Sequence, residues 1–575
     1  MKFEVWAPHA RGVELCLKTG ERHIMEPTSP AGWWSIDIRG LSGEIRYGFS
    51  IDGDVPLPDP RARRMPDGVH ALSGIWDASS FEWTDRGFRA APLSSGLIYE
   101  LHVGTFSEEG SFDGVITKLD HLVGLGVTHV ELMPVNSFPG AFGWGYDGVG
   151  LFSVFEPYGG PDGLCRLVDA CHRRGLAVLI DVVYNHLGPE GNYLARYGPY
   201  FTDRYETPWG AAVNLDDRGS DEVRRFFLDN AKMWVRDFHA DGLRIDAIHA
   251  LADGSAKHLL EEMAEEFESL QAEVARPLVL VAESDLNDPR VIQRRQAGGF
   301  GMDAQWTDDF HHAVHALMTG ERQGYYADFG TWAEVAKSLE SAFVVDGVPS
   351  RFRGRRHGRS VGTLTGHRFV VYTQTHDQVG NRATGDRLGH QLSEGRLKMA
   401  LALLLMSPFV PMLFMGEEWA ASSPFQFFCD FGDPSLREAV KEGRKKEFEA
   451  FDWNIESLPD PLSPETFGRC RLNWGELQEA GHRRVLEWVR ELVRLRRSYP
   501  ELTDGARGRS KVRFGPHWLT MRRGRVSLAV NTGVDELGFS DLPGDVLLAH
   551  AGERRSDDGD VVVGPDGVVI VADST

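Results

Sequence analysis

Apolar and polar positions alternate with a period of two through much of residues 1–90, in Phe3-Glu4-Val5-Trp6, Val13-Glu14-Leu15-Cys16-Leu17, Trp34-Ser35-Ile36-Asp37-Ile38 and Ile45-Arg46-Tyr47-Gly48-Phe49-Ser50. Short strands with turn residues between them predict a small immunoglobulin-like β-sandwich over 1–90. The proline-dense stretch from Pro56 to Pro66 predicts irregular chain. From Gly96 the pattern changes to continuous apolar runs, the mark of strands buried on both faces, with helix-period segments between them. The predicted strands are Leu97–Val103, Val127–Pro134, Ala177–Val183, Gly242–Asp246, Leu278–Ala282, Met302–Trp306, Phe369–Tyr372 and Phe409–Phe414. The predicted helices include Phe112–Leu125, Leu164–Arg174, Asp221–Phe238, Lys257–Glu273, Ser393–Leu405 and His482–Arg497, with Gly175 and Gly242 read as helix stops.

Eight strand–helix cycles predict a (β/α)8 TIM barrel over 91–500, interrupted by long loops at 187–218 and 417–480. A return to short strands with Gly and Asp turns predicts a further β-domain at 501–575. The fold class is therefore α/β, a catalytic barrel between two β-domains. No internal repeat is evident, which sets aside a solenoid.

Charge and cysteine usage narrow the class. The chain has 575 residues, 84 acidic against 62 basic, and a formal net charge of −22. Its basic runs are short, Arg61-Ala62-Arg63-Arg64 and Arg444-Lys445-Lys446, so no nucleic-acid partner is expected. The five scattered cysteines, Cys16, Cys165, Cys171, Cys429 and Cys470, are expected to be reduced thiols. The amino terminus lacks the apolar core of a signal peptide, and the apolar stretch Met399 to Met415 is interrupted by Ser407-Pro408 and Pro411. That stretch reads as a buried helix, a turn and a buried strand, so no membrane association is expected and the location is expected to be cytoplasmic.

Three apolar runs end in acid, Gly242-Leu243-Arg244-Ile245-Asp246, Val279 to Glu283, and Val370 to Asp377. A carboxylate at the carboxyl end of a barrel strand is costly to bury and stands where loops build sites. Arg244 is two positions before Asp246, so both side chains share a face, and the guanidinium holds Asp246 ionised as a nucleophile requires. Glu283 follows apolar residues, which raises a carboxyl pKa and suits a general acid. His376 and His186, near the same strand ends, supply hydrogen bonds for vicinal hydroxyls. The stretch Gly140 to Gly148 lacks the Lys-Ser/Thr of a phosphate loop. Its Trp144 and Tyr146 read as sugar-stacking platforms or as loop packing.

Four signatures stand in order: Asp181-Val182-Val183-Tyr184-Asn185-His186, Gly242-Leu243-Arg244-Ile245-Asp246-Ala247, Ala282-Glu283-Ser284-Asp285 and Thr375-His376-Asp377-Gln378. In this the chain resembles the α-amylase family of glycoside hydrolases. Glu131-Leu132-Met133-Pro134-Val135, Gln374 to Arg382 and Met415-Gly416-Glu417-Glu418-Trp419 extend the resemblance to a narrower group within it. That group hydrolyses the α-1,4 bond next to the terminal trehalose of maltooligosyltrehalose, releasing trehalose. The resemblance implies that Asp246 is the nucleophile, Glu283 the general acid/base and Asp377 the transition-state stabiliser. It implies that His186, Arg244 and His376 hold the sugar and that Tyr146 stacks under it.

Where many α-amylases carry Lys-His after the nucleophile, His249-Ala250 stands here. His249 is therefore a candidate on the leaving-group side. No cofactor and no metal are expected, and Asn185 reads as a structural hydrogen-bonding residue. Two rivals remain. A glycogen-branching transferase shares sandwich, barrel and carboxylates, and a carbohydrate-binding protein without activity shares the fold. The run Lys441–Glu449 reads as a solvated helix face.

Overall fold

The computed structural model describes residues 1–449, 458–552 and 554–573. Eight parallel strands close into one barrel. In chain order they are β1 (Ile98–Leu101), β2 (His129–Leu132), β3 (Ala177–Val182), β4 (Gly242–Ile245), β5 (Val279–Ala282), β6 (Ala304–Trp306), β7 (Phe369–Val371) and β8 (Val410–Phe414). β8 closes on β1 through Met412 opposite Ile98 and Phe414 opposite Glu100. Each strand lies within or beside its expected range. Ile98, Val281, Trp306, Val370 and Met412 fill the interior with apolar side chains, so the barrel is a packed core with its opening at the carboxyl ends.

The helices follow the sequence with two differences. The expected helix Phe112–Leu125 is two pieces, Phe112–Ile116 and Leu119–Leu125. Gly175, at φ +78°, does end the helix Gly160–Arg173, but Gly242 has another reason: a Cβ there would meet the Val279 carbonyl oxygen at 2.1 Å. Its missing side chain lets β4 approach β5. The stretch 399–415 is, as expected, a helix (Glu394–Leu405), a turn and β8. Two buried arginines close that turn, Arg496 donating to the Leu405 and Ser407 carbonyls and Arg523 to those of Met406 and Ser407. They satisfy carbonyls that a helix end leaves unpaired.

The amino-terminal residues form two facing antiparallel sheets, Lys2–Trp6 with Trp33–Asp37 and Glu26–Thr28, and Arg22–Ile24 with Val13–Leu17, Arg46–Ile51 and Ser73–Gly74. The basic run that follows ties this sandwich to the barrel: Arg61 pairs with Asp229 at 3.0 Å, Arg63 with Asp237 at 3.0 Å and Arg64 with Glu156 at 2.7 Å. After the barrel, a five-stranded and a three-stranded sheet lie within residues 510–572.

Candidate active site at the carboxyl face of the barrel

β3 and β4 are in register with Asp181 opposite Arg244, which puts both side chains at the barrel mouth. Arg244 is fully buried, and its Nη1 donates to both Asp181 oxygens at 2.8 and 2.9 Å and to Asp246 Oδ1 at 2.6 Å. Its Nη2 stands 3.3 Å from Glu283 Oε2, and the guanidinium lies over the Trp306 ring at 4.4 Å. A buried cation survives only with such partners. One arginine therefore organises three carboxyl groups from three consecutive strands.

Asp246 is 9% exposed, so it is buried and not at a solvent-reached strand end as its position in the sequence suggests. Burial would raise its pKa, but Arg244 and then Asn185 outweigh that and hold the carboxyl below the usual carboxylate value. Asn185 Nδ2 donates to Asp246 Oδ2 at 2.9 Å and to its backbone carbonyl at 3.0 Å. The next residue, Ala247, adopts φ +38°. This left-handed turn, costing on the order of 1 kcal/mol for a residue with a Cβ, aims the Ala247 N–H at Glu283. The contact to Oε2 measures 2.5 Å.

Glu283 experiences the opposite balance. Burial pushes its carboxyl up, Arg244 opposes, the negative charges of Asp246 and Asp377 add to the rise, and the result is about 8. At neutral pH the pair is thus one ionised and one protonated carboxyl beside a shared guanidinium. Asp377 is the most open of the three, with 41% of its side chain exposed, and Asn381 donates to it at 3.3 Å.

His376, in contrast, is 1% exposed. Its backbone N–H donates to Glu100 Oε2 at 3.1 Å, its Nδ1 pairs with Glu100 Oε1, and its Nε2 lies 3.5 Å from Asp377 Oδ1. Tyr146 stacks on the His376 ring at 5.0 Å and donates its hydroxyl to Asp181 at 2.6 Å. Trp144 turns away. It is 5% exposed, packs on Phe425 and donates its indole N–H to the Gln426 carbonyl, so it is loop packing and not a platform.

His186 bonds Asn185 through Nδ1 and stacks on Trp209 at 4.6 Å, and burial lowers its pKa. Trp209 is 49% exposed and sits on the hairpin of Phe201–Thr207 with Gly210–Val213, within the expected 187–218 loop. His249 is exposed and accepts the Asp285 N–H at 3.4 Å. The Asp285 carboxylate pairs with Arg353, whose neighbour Phe352 is 48% exposed.

The expected loop at 417–480 is in part packed core. Glu417, Trp419, Phe425 and Phe428 point inward and are buried, and residues 450–457 lie outside the described ones. The helix Pro434–Glu449 is not only a solvated face, since Arg444 reaches the Asn381 side chain at 3.1 Å. Residues 352 and 353, from the long connection between β6 and β7, stand beside Asp285, two positions beyond Glu283. Glu100, Asp181, Trp209, Phe352, Arg353 and Asn381 are the contributors that sequence reasoning left unassigned.

Among the described residues, no group of three or more His, Cys, Asp or Glu is arranged to hold a metal ion. The arrangement supplies an ionised carboxylate, a protonated carboxyl, a third acid at the rim and aromatic faces around one opening, a set suited to acid-assisted displacement at a sugar carbon.

Residues 1–61 match the family described as carbohydrate-binding module 48 (isoamylase N-terminal domain), and residues 78–206 that described as alpha amylase, catalytic domain. The chain is 49% identical over 556 residues to the malto-oligosyltrehalose trehalohydrolase of Mycobacterium tuberculosis, covering 95% of each chain. It is 37% identical to a putative alpha amylase from Salmonella typhimurium, whose crystal structure matches with a TM-score of 0.92 over 100% of this chain and 97% of that one. Identity to a 1,4-alpha-glucan branching enzyme of Xanthomonas campestris is 26%, over 87% of this chain and 66% of that one.

Proposed function

Because this chain belongs to the malto-oligosyltrehalose trehalohydrolase family, we propose the following reaction and roles. The enzyme hydrolyses the α-1,4 bond between a glucan and its terminal α,α-trehalose, releasing trehalose and a maltooligosaccharide. The observation that carries the roles is the single Arg244 guanidinium touching Asp246 at 2.6 Å and Glu283 at 3.3 Å, with their pKa values displaced in opposite directions. Asp246 attacks the anomeric carbon, the C1–O bond breaks, and the Glu283 proton passes to the departing trehalose oxygen. Glu283, now a carboxylate, takes a proton from water. That water attacks C1 and frees Asp246, so the α configuration is retained.

A retaining pair works at a separation of about 5–5.5 Å, and two carboxyls on one guanidinium suit a spacing of that order. Asp377 would bind ring hydroxyls more tightly as oxocarbenium character grows. Tyr146, His186, Arg244 and His376 would hold the sugar at the reacting subsite. His249, with Asp285, Arg353 and Phe352, would border the trehalose. The proposed domains are 1–90, 91–500 and 501–575.

The branching-transferase reading is disfavoured by the 26% identity to that enzyme against 49% to the trehalohydrolase. Incubation with a trehalose-capped maltooligosaccharide tests the choice. Free trehalose and linear glucan are expected, whereas branched product without trehalose would make the chain a transferase and no turnover would make it a binding protein. Among the described residues no helix is long and apolar enough to cross a membrane. Cytoplasmic residence is proposed from the five unpaired, buried cysteines.

A further inference from the structure

Glu100 lies outside all four signatures and reads in sequence as one polar position within an apolar strand. In the fold it is 1% exposed, as is His376, and its two oxygens take two hydrogens of that one residue, the backbone N–H at 3.1 Å and the ring Nδ1–H. A two-point contact fixes the ring plane and makes Nδ1 a donor, leaving Nε2 toward Asp377 and the cleft.

A second acid, Glu131, stands directly opposite Glu100 in the pairing of β1 with β2. It too is 1% exposed, yet neither of its oxygens has a hydrogen-bond partner among the described residues. Two adjacent buried carboxyls do not both ionise, and the one without partners takes the proton. Burial and then the neighbouring Glu100 drive Glu131 toward its neutral form, so of the two acids it is Glu100 that bonds the imidazole.

We propose that Glu100 is a positioning residue for the glycosidic reaction, its carboxylate anchoring His376 as an imidazolium whose Nε2–H is aimed at the sugar in the reacting subsite. The proposal rests on the reading of His376 as a sugar-binding residue. Glu100 itself touches no substrate and acts through the ring.

The groups around that ring are Glu100 from β1, His102 just beyond it, Glu131 from β2, Asp181 from β3, Arg244 from β4 and Asp377 beside it. The Tyr146, Trp144 and Trp306 rings complete its surroundings. Burial would lower the imidazole's pKa. Glu100 and then Asp377 outweigh it against the opposing Arg244, and the ring is pushed up to about 9. Glu283 is pushed up to about 8, and the alkaline limb of the unaltered enzyme is assigned to the loss of its proton.

Glu100→Gln keeps the shape and removes the charge, letting the imidazole deprotonate within or below its ordinary range near pH 6.5. The expected result is a fall in kcat/KM of about thirtyfold or more near pH 7.5, as for loss of a charge-assisted hydrogen bond. The alkaline limb should move at least about one unit toward acid, because His376 and not Glu283 now fails first. A merely structural role would depress activity alike at every pH, and an unmoved limb overturns the proposal.

If Glu100→Gln does not fold, the full-length unaltered chain labelled with 15N-histidine gives the same answer. Both His376 nitrogens protonated near pH 7.5 supports the anchor, and a neutral ring there overturns it. His376→Asn keeps the two readings apart. Undiminished turnover in that variant refutes the sugar-binding reading itself, while a crippled His376→Asn beside a fully active Glu100→Gln refutes only the role of Glu100.

Discussion

Arg244 Nη1 stands 2.6 Å from Asp246 Oδ1, while the other arm of the same guanidinium reaches only to 3.3 Å from Glu283. The shorter contact, reinforced by Asn185, favours the ionised form of Asp246 despite its burial. Glu283 is pushed up chiefly by burial, which the more distant arm of Arg244 does not offset and to which the charges of Asp246 and Asp377 add, so its proton stays. One arginine thereby separates two carboxyls into the two roles that acid-assisted displacement needs.

That separation predicts the pH profile of kcat/KM. Asp246 must be ionised, so activity is lost as pH falls through a value below the ordinary carboxylate range. Glu283 must be protonated, so activity is lost as pH rises through about 8. The check is a profile on a trehalose-capped oligosaccharide. An alkaline limb at the ordinary carboxyl value of about 4.3 would show that Glu283 is not the acid.

Asp246→Asn should lower kcat by about four orders of magnitude or more while preserving substrate binding and fold. The isosteric change is preferable to Asp246→Ala, because Asp246 is buried against Arg244 and truncation would leave a cavity beside a charged group. Single-turnover kinetics with a folding check by circular dichroism decides it. A variant within tenfold of the native rate would remove Asp246 from the nucleophile role.

Much of this architecture is legible in the chain itself. The eight barrel strands stand out because strands buried on both faces are continuous apolar runs, and Arg244 with Asp246 follows from period-two alternation alone. Contacts between distant segments are not legible. Glu100 and His376 are 276 positions apart, and nothing local distinguishes Glu100 from any polar strand residue. Trp144 and Tyr146 are two residues apart on one glycine-rich loop, yet Trp144 stacks on Phe425 and meets His376 only edge-on, while Tyr146 stacks on the His376 ring. Which ring faces the cleft depends on the chain after β8, which loop composition does not encode.

Glu283→Gln should retain the fold and lose about three orders of magnitude on natural substrates, where the departing sugar oxygen needs a proton. On a glucosyl donor with a good leaving group, such as fluoride, the first step needs no acid, and much of the loss in that step should vanish. Burst kinetics on both substrates measures this. Equal losses on the two would mean that Glu283 acts on something other than the leaving group.

Specificity must arise on the leaving-group side, because the residues around Asp246 meet only a terminal glucose ring of the glucan. Trehalose is bent at its α,α-1,1 bond and presents hydroxyls where a linear maltosyl unit does not. The side chains proposed to border that region are the exposed Phe352 and the half-buried Arg353, the latter held by the Asp285 carboxylate two residues beyond Glu283. A site built to bond particular hydroxyls disfavours a ligand lacking them by a few kcal/mol, so capped oligosaccharides should exceed uncapped ones of equal length by at least about a hundredfold in kcat/KM. Arg353→Ala should reduce that ratio about tenfold or more, chiefly through the capped substrate, since the uncapped one never used the full set of bonds. Equal kcat/KM on both substrates in the native enzyme would make it an ordinary amylase, and an unchanged ratio in Arg353→Ala would place trehalose recognition elsewhere.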